Sequence, residues 1–427
     1  MKKILLSLMI MLPLAAFAQD VKMLTLKDAI NIAIEKNKSV EQAKEYMTYL
    51  EGVYVEERSA ALPTATLYGG VARAKDASTG SAVNSDVFNQ YNAGVSVKQA
   101  LFTWGQVGAA IRAAKIGLRT GDEQLRMYRQ AAVRDVTVAF TDILLTRRLL
   151  YIAQENVKQR ERHLAEAEKK YKLGTATDYD VLSARVALKN AQPDVITYNN
   201  NLSIAKDNLK YILGINYDID ADGELKPESV ETADYAVVLK SAMANRPEIL
   251  DKKLMVDFNK ELVQVSRAGD KPRLDLEGSY DRIRLEGDDE KNLTTWNAGI
   301  KMSFPFFDGL ETRGKVIQAQ SDLRKIKIQQ LQTEDSVSLD VRQAVSRVKE
   351  AVEVIDAAGG TVDEAAKLLD MAEKGYSYGV KTKLEVDDAE YNLRNAQVRL
   401  AQAWRDYRVQ YANLLWSAGI IGERDSL

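Results

Sequence analysis

The sequence predicts a mainly α-helical chain with membrane β-strands, built from one unit used twice. Three features carry that expectation: an internal repeat in constant register, four segments alternating in period two, and two very long proline-free helical stretches. Tyr171-Lys172-Leu173-Gly174-Thr175-Ala176-Thr177 returns 205 positions later as Tyr376-Ser377-Tyr378-Gly379-Val380-Lys381-Thr382. Val181 then meets Val386, Ala184 meets Ala389, and Leu188 meets Leu393. Asn190-Ala191-Gln192 meets Asn395-Ala396-Gln397, Gly214-Ile215 meets Gly419-Ile420, and the register holds back to Tyr91 and Trp296. A register kept over that span marks a tandem duplication, so each feature can be checked against its other copy.

Composition narrows the classes. Met1-Lys2-Lys3 is a basic start, Ile4 to Phe17 is apolar, and Ala16-Phe17-Ala18 is a small-x-small cleavage pattern. Residues 1–18 are therefore expected to be a secretory signal peptide, too short for a membrane-spanning helix. The chain has no cysteine, which excludes thiol chemistry and thiolate metal sites. Charge is dense but balanced, with Lys+Arg 59 against Asp+Glu 61, so nothing points to nucleic acid. Beyond the leader no apolar run reaches about 18 residues, so a membrane crossing must be made by strands.

Four segments have that character. In 64–73, Ala65, Leu67, Gly69 and Val71 oppose Thr64, Thr66, Tyr68 and Gly70; in 91–99, Tyr91, Ala93, Val95 and Val97 oppose Asn92, Gly94, Ser96 and Lys98. In the second copy Leu274, Leu276, Gly278 and Tyr280 oppose Arg273, Asp275, Glu277, Ser279 and Asp281. Trp296, Ala298, Ile300, Met302 and Phe304 oppose Asn297, Gly299, Lys301 and Ser303. Segments of about 9–11 residues suit tilted membrane strands, and Tyr91, Trp296 and Tyr280 end the apolar faces as an aromatic girdle would. Polar loops, Lys75–Gln90 and roughly Arg284–Thr295, join each pair. Pro63, Pro272 and Pro305 punctuate strand ends, where a missing N–H is tolerated.

The remainder reads as helix. The first repeat is placed at 19–215, with strands about 64–74 and 91–101, a long helix about 106–172 and a return helix 179–213. A polar connecting segment, 216–234, leads to the second repeat at 235–420. That copy has strands about 273–283 and 296–304, a long helix about 311–376 and a return helix 384–417, before a tail at 421–427. Each long helix would extend about 100 Å at 1.5 Å per residue and must pack in a coiled-coil-like wall. Two further helices, Leu26 to about Ala60 and Tyr235 to about Ala268, lead into the strand pairs, and Pro193 should bend the first return helix.

The order helix, strand pair, very long helix, turn and return helix, all duplicated, resembles the TolC family of outer-membrane efflux channels. The most specific motifs are Gly174 with Asp180-Val181-Leu182-Ser183-Ala184, and Gly379 with Glu385-Val386-Asp387-Asp388-Ala389. Ala100-Leu101-Phe102-Thr103-Trp104-Gly105 and Phe304-Pro305-Phe306-Phe307-Asp308-Gly309 agree where strand passes into helix. Physics independently requires oligomerisation: four strands cannot close a barrel, for which about eight is the practical minimum, and open edges cannot face lipid. The resemblance implies a homotrimer whose strands form a 12-stranded transmembrane barrel on a helical coiled-coil barrel.

The same resemblance implies a passive exit channel of a tripartite efflux system in the Gram-negative outer membrane, with a long periplasmic extension. Its partners would be a periplasmic adaptor protein, an inner-membrane transporter and outer-membrane lipid. No enzymatic activity, cofactor or metal site is expected. A duct for type I protein or peptide secretion is the alternative within the family, and a periplasmic coiled-coil scaffold the alternative outside it. By resemblance Glu385 and Asp388 line the channel constriction, where converging carboxylates would favour cations. Asp180 with Tyr376, and Tyr179 with Lys381, would be the gate links; Leu173, Gly174, Thr175, Tyr378, Gly379 and Val380 would be the adaptor-docking tips. The single histidine, His163, lies among Arg160, Glu161, Arg162 and Glu166 and reads as part of a solvated helix face.

Overall fold

The computed structural model describes residues 21–75, 87–286 and 290–422. The expected signal peptide, most of the tail and the middles of both hairpin loops lie outside the described residues. In chain order the elements are β1 (Lys22–Leu24), α1 (Leu26–Lys36), α2 (Lys38–Ser59), β2 (Thr64–Lys75), β3 (Val87–Phe102), α3 (Gln106–Lys172) and α4 (Asp178–Leu213). They continue as β4 (Ile219–Ala221), α5 (Tyr235–Asn245), α6 (Pro247–Arg267), β5 (Arg273–Glu286), β6 (Lys291–Ser303), α7 (Glu311–Ser377) and α8 (Lys383–Ser417). The long helices α3 and α7 have 67 residues each. No helix among the described residues is long and apolar enough to cross a membrane.

Two compact units result, and they do not coincide with the two repeats. One comprises 1–38, 132–232 and 347–412; the other comprises 39–131, 233–346 and 413–427. The first holds the tips and a core that the sequence did not announce. Its connecting segment is not merely a linker, because β4 within it pairs in parallel with β1. Leu24, Ile219 and Ala221 of this two-stranded sheet are buried against Phe140 and Ile143 of α3, Leu209 and Leu213 of α4, and Ala29 and Ala33 of α1. Lys206 holds Asp220 at 2.8 Å, and Arg147 bonds the same carboxylate. Strands of three residues are too short to show a period, which is why the pattern missed them.

The second unit carries the four-stranded antiparallel sheet in the order β2-β3-β5-β6. A register shift between Ala100 and Phe102 marks a bulge in β3. β3, β5 and β6 extend further toward the hairpin loops than the apolar alternation indicated, since polarity changes face beyond Tyr280 while the ladder continues to Leu285 and Lys291. Strand passes into helix through two consecutive left-handed residues in both copies: Trp104 (φ 51°) and Gly105 (82°), then Gly309 (66°) and Leu310 (73°). Each pair contains one glycine, but at opposite positions.

The expected continuous helices before each strand pair are broken once, at equivalent places. Asn37 (φ −62°, ψ 129°) separates α1 from α2, and Arg246 (φ −66°, ψ 122°) separates α5 from α6. Arg246 precedes Pro247, whose ring disfavours helical backbone in the residue before it. Asn37 has no such neighbour; its side-chain amide donates to the Ile212 carbonyl at 2.8 Å instead. Arg246 is buried, ion-paired with Asp340 at 2.9 Å, and stacked 4.5 Å from the Trp416 ring centroid. Pro193 sits inside α4, which runs unbroken from Asp178 to Leu213.

The repeated Gly214 and Gly419 explain themselves at these breaks. Gly214 is the left-handed C-cap of α4 (φ 66°), and a Cβ there would stand 2.6 Å from the Lys36 carbonyl oxygen. Gly419 (φ 75°) would meet the Arg246 backbone nitrogen at 2.7 Å. Both obstacles are main chain and cannot swing away. Gly214→Ala should therefore cost about 2–3 kcal/mol, combining left-handed strain with the clash. Gly174→Ala, with φ 73° but open space around it, should cost about 1 kcal/mol. Thermal unfolding of the helical circular-dichroism signal in detergent checks this; equal losses would mean the approach to Lys36 is of no consequence.

Candidate functional site

The two helical tips of the first unit hold most of the sequence-derived candidates. After α3 the chain turns through Gly174, with the Thr175 N–H donating to the Lys170 carbonyl at 2.9 Å. After α7 it turns through Gly379, where the N–H groups of Val380 and Lys381 both donate to the Gly375 carbonyl, at 2.9 and 3.1 Å. The main chain at each tip is thus closed on itself, and the side chains point away. Leu173, Tyr378 and Val380 are strongly exposed, which leaves apolar surface open at both tips among the described residues.

Asp180 and Glu385 are equivalent across the repeat, and both cap a return helix. The Thr177 N–H and hydroxyl donate to the Asp180 carboxylate at 2.8 and 2.7 Å, and the Asp180 N–H donates back to the Thr177 hydroxyl at 3.3 Å. Thr382 and Glu385 repeat the pattern at 2.8, 3.1 and 3.3 Å. Each is a capping box satisfying backbone donors that a helix start otherwise leaves open. Glu385 has a further partner, the Lys381 ammonium at 2.6 Å. That contact, with the Thr382 N–H, holds its carboxyl down to about 2. Asp388, three residues on, is exposed.

Asp180 and Tyr376 line one cavity of about 580 Å³, but no hydrogen bond joins them among the described residues. Instead the Lys170 ammonium donates to the Tyr376 hydroxyl at 3.4 Å and lies 5.3 Å from its ring centroid. Tyr376 packs on Ala372, Val386 and Ala389. Tyr179 is 78% exposed, and Lys381 is engaged with Glu385. Within one chain, then, Asp180 and Lys381 are each bound to a neighbour in their own tip.

A second cluster, on α3 and α8, was misread in the sequence. His163 is not on a solvated face: its Nε2 lies 2.7 Å from Glu390, whose side chain is only 1% exposed. Gln159 donates to the same carboxylate at 2.5 Å, and Arg160 is 3.3 Å from it and 2.8 Å from Asp387. The Lys383 ammonium completes the group, 3.3 Å from Asp387 and from both ring nitrogens of His163. Ligand atoms of His163, Asp387 and Glu390 lie within 4.8 Å of one another. Two cations already balance the two carboxylates, however, so the donor set does not suit a resident metal. The readable signal was spacing: Lys383, Asp387 and Glu390 share one face of α8, opposite Arg160 and His163 on α3.

Comparison with known proteins agrees with this architecture. Residues 29–215 and 238–419 each match the outer membrane efflux protein family, one match per repeat. The chain is 25% identical to the outer membrane protein TolC of Escherichia coli over 393 residues, covering 87% of this chain and 77% of that one. It is also 25% identical to the alkaline protease secretion protein AprF of Pseudomonas aeruginosa over 345 residues, covering 79% and 71%. The structure of the Campylobacter jejuni CmeC outer membrane channel superposes with a TM-score of 0.79 at 18% identity, covering 92% of this chain and 85% of that one. With two family matches that together span most of its length and fall on its two structural copies, the chain belongs to the outer membrane efflux protein family.

Proposed function

We propose that the protein is a passive outer-membrane exit channel of a tripartite efflux system, working as a homotrimer. A periplasmic adaptor and an inner-membrane transporter would supply coupling and energy, and the chain itself would carry out no reaction. The observation that carries this reading is the β2-β3-β5-β6 sheet, amphipathic in its strands and, among the described residues, unpaired at both edges. β2 of one protomer against β6 of the next would close three sheets into a twelve-stranded barrel, leaving no edge toward lipid. Heat-modifiable migration of the purified oligomer and conductance in a planar bilayer test this directly. A monomer that stays in solution without detergent would overturn it.

The tips would then form the periplasmic entrance. Glu385 and Asp388 are proposed to line its constriction as carboxylates from three chains, attracting cations. The Glu385 pKa is depressed from 4.5 to about 2, so its charge and its cap are present above its unfolded pKa and lost only as pH falls through about 2. Glu385→Gln with Asp388→Asn should reduce cation selectivity severalfold, and the wild-type preference should persist at about pH 4. Unchanged selectivity in the double variant would remove these residues from the constriction.

Asp180 is proposed as a gate residue as well as a cap, and the two roles separate by mutation. Asp180→Ala should raise single-channel conductance, while Thr177→Ala, which removes the same capping box at a cost of about 1 kcal/mol, should not. Matching conductance in both variants would assign Asp180 to the cap alone. Tyr376, Tyr179 and Lys381 belong to the same proposed gate.

Leu173, Gly174, Thr175, Tyr378, Gly379 and Val380 are proposed to dock the adaptor, because both tips expose apolar side chains beyond a closed main-chain turn. Gly174→Trp with Gly379→Trp should abolish co-purification of the adaptor from cells while the trimer persists. Adaptor retained at wild-type levels would place the contact elsewhere.

A further inference from the structure

On β2 and β5 the outward face changes chemistry toward the hairpin loops. Along β5 the exposed positions Leu276, Tyr280, Arg282 and Arg284 keep alternating, but apolar side chains give way to cationic ones. β2 does the same, with Leu67 and Val71 followed by Arg73 and Lys75, both exposed. The opposite face of β5 changes in the other sense, from Asp281 to Ile283 and Leu285. On these two strands the side that is hydrocarbon-like through the apolar band therefore turns basic near the hairpin loops, while β3 keeps Tyr91 in the row of Arg284. The helices leave from the other strand ends and belong to the periplasmic extension, so this basic end emerges at the outer leaflet.

Register orders these residues along the sheet. Tyr280 pairs with Val95 and Trp296, and aromatic rows of this kind lie at the hydrocarbon–headgroup boundary. Arg282 is in the next row, between Ala93 and Thr294 with Gly69 beyond, and the row after it holds Arg284 with Tyr91 and Val71. These small neighbours leave its guanidinium uncovered. Arg73 stands on β2, four residues beyond Gly69 toward the loop and paired with Asn89. Strand spacing of about 4.8 Å and a rise of about 3.4 Å per residue put the Arg73 and Arg282 Cα atoms roughly 17 Å apart. Arg284 is already paired with Glu286 at 2.7 Å and Glu290 at 2.9 Å. Arg73 and Arg282 have no acidic partner among the described residues.

An uncovered guanidinium at the margin of a lipid-facing apolar band can extend its long side chain to the headgroups, where its planar fork matches phosphate oxygens in pairs. We propose that Arg73 and Arg282 form a binding site for the phosphate groups of the phosphorylated glycolipid of the outer leaflet, one molecule spanning both cations. The proposal rests on the outer-membrane reading above.

The test uses the full chain purified in neutral detergent, with bound lipid quantified by native mass spectrometry. The probes are lipid A carrying two phosphates, the same lipid dephosphorylated, and inorganic phosphate as competitor. Wild type should bind the bisphosphorylated lipid about tenfold more tightly than the dephosphorylated one, and Arg73→Gln with Arg282→Gln should lose that preference. Arg284→Gln, whose charge is already matched, should retain it. Equal binding of the two lipids by wild type, an unchanged preference in the double variant, or full displacement by millimolar-scale inorganic phosphate would each overturn the site. Heat-modifiable migration is followed in every variant, and the single Arg282→Gln serves if the double variant fails to assemble. Loss of oligomer and of detergent dependence in wild type would instead overturn the outer-membrane reading.

Discussion

The unpaired backbone edges of β2 and β6 are the constraint on which the rest of this molecule depends. In water such edges are satisfied by solvent, but in hydrocarbon each orphaned N–H or C=O costs several kcal/mol. A chain contributing four strands thus cannot complete its own membrane segment, and its edges define what it must meet: another copy, in register, on both sides. That requirement makes ring closure a property of the backbone before any side chain is considered. The long helices inherit it, since α3 and α7 leave the same sheet and are bound to whatever symmetry the strands impose.

The duplication shows which features are geometric and which are chemical. The break before each strand pair is kept, yet Asn37 achieves it through a side-chain hydrogen bond and Arg246 through the proline that follows. The strand-to-helix turn keeps two left-handed residues, but its glycine moves from the second position to the first. The return-helix cap keeps threonine and changes Asp180 to Glu385. In each case a backbone path is preserved while the residues securing it differ. At Gly214 and Gly419, glycine in both copies, main chain meets main chain too closely for a Cβ; at Gly174 and Gly379 both copies keep glycine for its left-handed backbone in open space.

Much of this was legible from pattern. The constant offset, the period-two segments and the proline-free stretches are signals summed over many residues, and they identified the mixed helical and membrane-strand architecture. Features decided by one or two residues were not legible. The break at Asn37 depends on a partner 175 positions away, and β1 and β4 are three residues each. The strand ends were read short because polarity exchanges faces at Tyr280 and the alternation, followed on its apolar side, stops there. His163 was taken for a solvated residue because its own helix is charged around it; what buries it, Glu390, comes from a helix 227 residues later.

If the tips form the entrance, as proposed, the Glu390 cluster bears on how it opens. Its counterparts in the first copy, 205 residues earlier, are Asp178 for Lys383, Leu182 for Asp387 and Arg185 for Glu390, so charges are reversed or missing. Arg185 there joins Glu168 on α3 at an exposed surface instead. The cluster therefore ties the two hairpins of a chain to each other, α3 against α8, while α4 carries no equivalent set of charges. In a ring of three such chains the charged α3–α8 junction would occur once per chain, at every second junction between hairpins, and the mouth would dilate with threefold rather than sixfold character.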